Sequence, residues 1–538
     1  MKFGIFMFLL WAPFLKALEF EEDIILVKFR KNTSNFKIQL TDSIKLQKEM
    51  NLGQGKIKVF KVNFTQKRNK KNRLLKLIEK LNKDPSVEIA SPNYYYYPLD
   101  DNFNLQWGLY NNGTFPVREG ILGKKGADIN ALSAWKINSG TRDVKVAVID
   151  TGIDYSHPDL KDQIWVNQKE LNGIRGVDDD NNGQIDDIYG YDFANNDSNP
   201  FDDHGHGTHV AGIIGSSHNA IGTMGVMRNV SLMAIKYMPN NGPGTTENAL
   251  RCIDYALKMN SQIINASWGG GAFDPLLYDA IKLANQKGVI FVAAAGINGL
   301  DNGLKPHYPS DYDSPNVISV AATDALDALT LQSNFGSNSV HIAAPGAEIY
   351  STLPGLKYGN MNGSSASAAF VTGALGLLIS KEKNLSVKEI KERLISSSVE
   401  LDSLRNKIKK GGGRLDAYNL LKNIRAPRIN DSNLVWEEIP VDIFESLHPY
   451  ENRRSLSKTF KVPGAKYIRL VIEEFDTEKR YDYLEILSQN GSVVDRISGK
   501  GENYISNFTQ GEEITVNFKS DFINTGWGFL IKELQVAR

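Results

Sequence analysis

At 538 residues the chain is too long for one hydrophobic core and implies roughly three or four folded units. Its 41% apolar and 23% charged content is that of an ordinary globular protein, which excludes a disordered or fibrous chain. The 62 basic and 62 acidic side chains cancel, so no global field draws the chain to nucleic acid or to an acidic membrane surface.

The chain opens Met1-Lys2, runs apolar over 3–15, and reaches Ala17 ahead of Glu19, Glu21 and Glu22. This is the pattern of a signal peptide over residues 1–17, with cleavage after Ala17. The run is shorter than the roughly 18–20 apolar residues of a membrane span, and no later segment approaches that length. The expectation is a soluble secreted protein, extracellular or periplasmic, without a membrane span. A short N-terminal anchor is the alternative.

Residues 18–100 read as a small α/β unit. Strands are predicted at 24–27, 57–62 and 87–97. Leu74, Leu77, Ile78 and Leu81 follow the spacing of one helix face. The basic stretch 67–73 reads as a solvated loop rather than a binding tail, and 100–104 as a polar linker. From 105 to 424, apolar strands at 144–149, 231–235, 263–266, 289–295 and 317–321 alternate with helical patterns. That alternation implies a parallel sheet covered on both faces, with its site at the carboxyl ends of the strands. Cys252, the single cysteine, lies in a helical pattern, so it reads as a buried thiol and no intrachain disulfide exists. After Pro427 and Asn430-Asp431-Ser432, residues 433–538 show short alternating strands and imply a β-sandwich.

Three segments carry reactive side chains. Val146-Ala147-Val148-Ile149-Asp150 delivers Asp150 to the end of an apolar strand. His204-Gly205-His206-Gly207-Thr208-His209 opens a helix. Asn362-Gly363-Ser364-Ser365-Ala366-Ser367 puts Ser365 at a helix N-terminus, where free N–H groups favour developing negative charge. A serine hydroxyl is a weak nucleophile that needs an imidazole to take its proton and a carboxylate to orient the imidazole. Singly, Asp150 could cap a turn, His206 could ligate a metal and Ser365 could cap a helix. Together, in the order Asp, His, Ser, they point to a nucleophilic triad.

A fourth segment, 178–187, places five carboxylates in ten residues around Gly183. Calcium takes about six to eight oxygens, which such loops supply at alternating positions. The expected ligands are Asp178, Asp180, Asn182 and Asp186, with the Gln184 carbonyl. Tyr189 at the twelfth position excludes a full EF-hand loop. A solvated acidic turn is the alternative, although carboxylates so close repel without a cation. No organic cofactor is expected.

The three reactive segments resemble the three signatures of the subtilase family (peptidase S8), over roughly 105–424. The resemblance implies a subtilisin-like three-layer αβα catalytic domain with a mainly parallel sheet, and a serine endopeptidase activity. Asp150 then orients the histidine, His206 is general base and acid, and Ser365 is the nucleophile. His209 matches a structural position and His204 a loop. Ser267-Trp268-Gly269-Gly270 resembles the cleft segment against which an extended polypeptide substrate pairs as an added strand. Residues 18–100 resemble the family's inhibitory propeptide, with 93–98 as a product-like strand and processing near 98–104. A permanent N-terminal domain is the alternative.

One family residue is missing. An asparagine usually follows the Ala-Ala-Gly strand and donates to the oxyanion. Here Ile297 follows Gly296, and Asn298 is one residue late. Ala366, Ser367 and Ala369 also depart from the family's usual Met, Ala and Pro. The open readings are a full-strength protease, a slow or highly specific one, and an exported pseudoprotease that binds polypeptide. In the C-terminal region, 475–486, Ser520-Asp521 and Gly526-Trp527-Gly528-Phe529 resemble a CUB domain. That implies a calcium shared by Glu478, Asp482 and Asp521, and a protein or glycan ligand. A jelly-roll-like stabilising sandwich is the alternative.

Overall fold

The structure is a computed structural model that describes residues 20–30, 43–52, 55–64, 70–94, 103–118, 120–429 and 434–538. The expected signal peptide, the Tyr95-Tyr96-Tyr97-Pro98 run, most of the 100–104 linker and the Asn430-Asp431-Ser432 boundary lie outside the described residues. Two compact units divide the chain, 1–99 and 100–538.

In the first unit, strands Phe20–Phe29, Ser43–Leu52, Gly55–Asn63 and Val87–Tyr94 form one antiparallel sheet beside helix Lys70–Asn82. Ile25 and Val27 meet Leu74, Leu77, Ile78 and Leu81, the predicted helix face. Two readings need correction. Lys70-Lys71-Asn72-Arg73 starts this helix instead of ending a loop. The Ser43–Leu52 strand was not legible, because it lies at the sheet edge and residues 45–49 are exposed. Backbone pairing holds it, and a register shift between Leu46 and Lys48 interrupts the alternation begun by Ile44 and Leu46.

The second unit is built on seven strands. Their order is Ile342–Pro345, Val317–Thr323, Ile290–Ala294, Ile263–Ala266, Gly140–Asp150, Asn229–Lys236, Gly190–Asp192. All neighbouring pairs are parallel. Successive residues of Gly140–Asp150 face opposite layers. Val146 and Val148 pack with helices His206–Gly215 and Ser364–Lys381. Ala147 and Ile149 pack with Thr246–Lys258 and Pro275–Gln286. Cys252 is fully buried in this second layer, as expected of a packing thiol.

Beyond the parallel sheet, two antiparallel sheets form the predicted sandwich. Ile468, Leu470 and Ile472 of one meet Ile514, Val516 and Phe518 of the other. The sandwich is joined to the parallel-sheet region by charged and aromatic contacts. Arg496, almost fully buried, bonds Asp324 at 2.9 Å and Glu485 at 2.6 Å. Arg118 also bonds Glu485, at 2.7 Å. Burial works against the Glu485 charge, yet these two guanidiniums hold its carboxyl below the ordinary value. Arg405 lies over the Phe508 ring at 3.9 Å and donates to the Phe508 carbonyl at 2.6 Å. Removing one member of such a buried set leaves an uncompensated charge, so the contacts fix orientation.

Candidate active site

Asp150 ends the fifth strand in the sheet order and is fully buried. His206 is the first residue of its helix, and its Nδ1–H donates to Asp150 Oδ1 at 2.7 Å. Asp150 Oδ1 also accepts from the Thr151 amide at 2.8 Å. The helix can sit this close because position 207 is glycine: a Cβ there would lie 2.1 Å from the Gly152 carbonyl oxygen. Burial disfavours the His206 imidazolium, but the Asp150 charge and hydrogen bond outweigh it and raise the pKa above the ordinary value. His209, one turn on, is different. Burial pushes it down to about 4, and its Nε2–H donates to the Ile349 carbonyl at 2.8 Å. It stays neutral and structural, as the resemblance implied.

A residue that sequence reasoning missed sets this arrangement. Asp202, fully buried, accepts from Thr151 Oγ1, the amides of His204 and Gly205, and both the amide and hydroxyl of Thr208. It clamps the histidine turn to the strand end that carries Asp150. Its only sequence signal is its place just ahead of His204.

Ser365 is the second residue of helix Ser364–Lys381. Its hydroxyl donates to the Ser267 carbonyl at 3.0 Å, and no hydrogen bond joins it to His206. A buried polar chain locks this corner. Thr372 Oγ1 donates to Asn265, Asn265 Nδ2 to Ser267 Oγ, and Ser267 Oγ to the Ser365 carbonyl. Asn265, also missed, is betrayed by being the one polar residue in the strand Ile263–Ala266. Trp268 donates from Nε1 to the Ile149 carbonyl at 2.8 Å and packs on Tyr237. Gly269 admits the His307 ring, since a Cβ would lie 2.2 Å from its Cε1.

Ser364 Oγ bonds both the amide and the carbonyl of Gly296 at 3.1 Å, tying the strand-end loop to the helix that carries Ser365. Ile297 Cγ2 comes within 3.2 Å of where a Gly363 side chain would begin. An apolar group therefore stands beside the loop that precedes Ser365. Asn298 is exposed, and its backbone N–H donates to Asn334 Oδ1 at 2.8 Å. The departure at Ser367 is absorbed, its hydroxyl donating to the Ala344 and Pro345 carbonyls at 3.0 Å.

Of the expected side-chain ligands, Asp180 joins a carboxylate cluster among the described residues. Glu170, Asp180 and Asp187 come within 4.8 Å of one another. Asp178 instead accepts from the amides of Asn182 and Gly183, and Asp186 from that of Gly176. Asn182 Oδ1 accepts from the Gln184 amide, and Asn182 Nδ2 donates to Asp187. A turn's own amides compete for these oxygens, which spacing alone does not reveal. Burial, with repulsion from Asp180 and Glu170, pushes Asp187 up to about 6 against hydrogen bonds from Tyr255 and Asn182. Three crowded carboxylates, two of them buried, fit a hard divalent cation. In the sandwich, Glu478, Asp482 and Asp521 converge within 4.8 Å, the set expected there.

Comparison with known proteins follows the same residues. The subtilase family matches residues 141–418. Subtilisin-like protease 1 of Plasmodium falciparum (isolate 3D7) is 36% identical over 334 residues, covering 58% of this chain and 46% of that protein. The thermophilic serine proteinase of Bacillus sp. (strain AK1) is 33% identical over 346 residues, covering 64% of this chain and 75% of that protein. A solved cold-adapted subtilisin-like serine proteinase aligns at 26% identity over 58% of this chain and 97% of its own, with a TM-score of 0.43. The chain thus spans about half the length of the Plasmodium relatives it matches. The match runs through Asp150, His206 and Ser365 at the carboxyl edge of the parallel sheet, and the chain belongs to the subtilase family.

Proposed function

We propose that the chain is an exported serine endopeptidase acting on extended polypeptide. The observation that carries this reading is the 2.7 Å bond from His206 to the buried Asp150. A carboxylate only accepts, so the proton sits on His206 Nδ1 and leaves Nε2 free as a base. The Ser365 hydroxyl must leave the Ser267 carbonyl and give its proton to Nε2 as its oxygen attacks the scissile carbonyl. His206 then returns the proton to the leaving amine. The acyl group on Ser365 is released by water through the same relay. The Ser365 amide, at the helix N-terminus, donates to the oxyanion.

Two observations favour a second reading, a polypeptide-binding pseudoprotease. Ile297 offers no side-chain donor, and the Ser365 hydroxyl is turned from His206. A fluorophosphonate probe separates the readings. The protease labels at Ser365, loses labelling in Ser365→Ala, and trims itself near 98–104, which makes 18–100 an inhibitory propeptide. Absence of labelling with an intact N-terminal unit would mean the pseudoprotease.

We further assign calcium to the Glu170, Asp180 and Asp187 cluster, and to Glu478, Asp482 and Asp521 of a CUB-like sandwich. Calcium at about 100 times its dissociation constant adds about 2.7 kcal/mol per site to the fold. Chelation therefore lowers Tm by several degrees, and Asp187→Asn removes part of that response. A Tm indifferent to chelator sinks the assignment.

A further inference from the structure

A cavity of about 320 Å³ lies where the sandwich meets the nucleophile loop, lined by Asn362, Gly363, Leu331, Gln332, Arg118 and Arg480. Its position follows from the sheet order. Ser267 succeeds the strand Ile263–Ala266, Ile297 succeeds Ile290–Ala294, and Leu331 lies past Val317–Thr323. Crossing the carboxyl edge, one passes from the 267–269 segment over Ile297 to the cavity. A substrate with one half paired to 267–269 and its scissile bond at Ser365 carries its other half toward this cavity.

The charges in it are unequal in their commitments. Arg496 is taken by Asp324 and Glu485, and Arg118 by Glu485 and Tyr483. Arg118 Nε is nonetheless buried without an acceptor. Glu348 also lines the cavity, its Oε1 accepting from Asn362 Nδ2 at 3.1 Å. Among the described residues Arg480 has no carboxylate partner. Its guanidinium makes one long contact, 3.4 Å, to the carbonyl of Ile297. A cation held beside the nucleophile loop, with donors to spare, suits a planar anion.

We propose that Arg480, delivered by the C-terminal sandwich, is a specificity residue of the protease. It binds the carboxylate of an aspartate or glutamate on the far side of the scissile bond from the residues paired with 267–269. The sandwich is then one wall of the substrate cleft, held there by the Arg496 and Arg405 contacts. The inference rests on the proteolytic reading above.

The test compares peptide pairs that differ only by Asp against Asn, placed in turn at each position on either side of the scissile bond. The full-length protein, purified with calcium, cuts the Asp member roughly fivefold better in kcat/KM at a far-side position. Arg480→Lys keeps part of the ratio, Arg480→Ala brings it near unity, and Arg480→Glu inverts it. Raising salt lowers the wild-type ratio, which tests the charge pairing even if a variant fails to fold. A ratio near unity at every far-side position, unchanged in Arg480→Glu, or indifferent to salt overturns the inference. Labelling of Ser365 in the same preparation separates the failures. A labelled enzyme without acid preference overturns this inference alone, whereas an unlabelled one overturns the proteolytic reading and this inference with it.

Discussion

Replacing Asp150 with asparagine lowers kcat by about 10⁴-fold. Asp150 Oδ1 serves both His206 Nδ1 and the Thr151 amide, while Oδ2 is buried without a partner. Asparagine has two orientations there, and both fail. With its oxygen toward His206, the imidazolium formed during attack loses its counter-charge and an NH2 group is buried unpaired. With its nitrogen toward His206, the ring shifts to the other tautomer and Nε2 carries the proton. The pH profile reports the same change. In the wild type, Asp150 holds His206 above the ordinary 6.5, so the acid limb of kcat/KM has its midpoint above that value. In Asp150→Asn only the smaller effect of the Asp202 charge still opposes burial, and the limb of the residual activity moves to lower pH. The sign for stability is opposite in use. The pair stabilises the fold fully below the unfolded histidine's 6.5, and that contribution is lost as pH rises through the folded value. Stopped assays of kcat across pH check both effects. A loss under tenfold would remove Asp150 from the relay.

Replacing Ile297 with asparagine raises kcat by about 10²–10³-fold, the loss measured when such a donor is removed from a subtilisin. The backbone is ready for it. Ser364 pins both the amide and the carbonyl of Gly296, so the side chain at 297 stays beside Gly363, two residues before Ser365. Ile297 is 52% exposed, so little packing is lost. The new bond forms only as charge develops on the substrate oxygen, so the gain appears in kcat and KM hardly moves. Ile297→Asp is the control. It has the same shape without a donor and gives no gain. Equal rates for the Asn and Asp variants would show that the oxyanion is held elsewhere.

What was legible in the sequence is what short-range patterns encode. The five apolar strands were readable because a strand buried on both faces is mostly apolar, and residues 146–149 alternate between two layers in the structure. The segments that carry Asp150, His206 and Ser365 were readable because each residue sits at a strand end or helix start. The sandwich was readable from alternation such as Ile514, Val516 and Phe518. Single positions were readable too, Ile297 above all, since the side chain at a known strand end names its own chemistry.

Tertiary structure decided which distant residues meet. Glu170 and Asp187 lie 17 positions apart, yet they share a cluster with Asp180, while Asp178 and Asp186 turn to local amides. Asp202 clamps the histidine turn from a position without a motif. Arg480 reaches the Ile297 carbonyl across 183 residues because the sandwich is docked by buried charges whose partners lie in the other region. Periodicity records which face of an element is buried. It does not record which element covers that face, because burial depends on apolar area and is blind to the identity of the partner. The chain's sequence therefore determined most of its strands and helices and the His206–Asp150 pair, and packing alone decided which carboxylates crowd together and which cation stands beside the Ser365 loop.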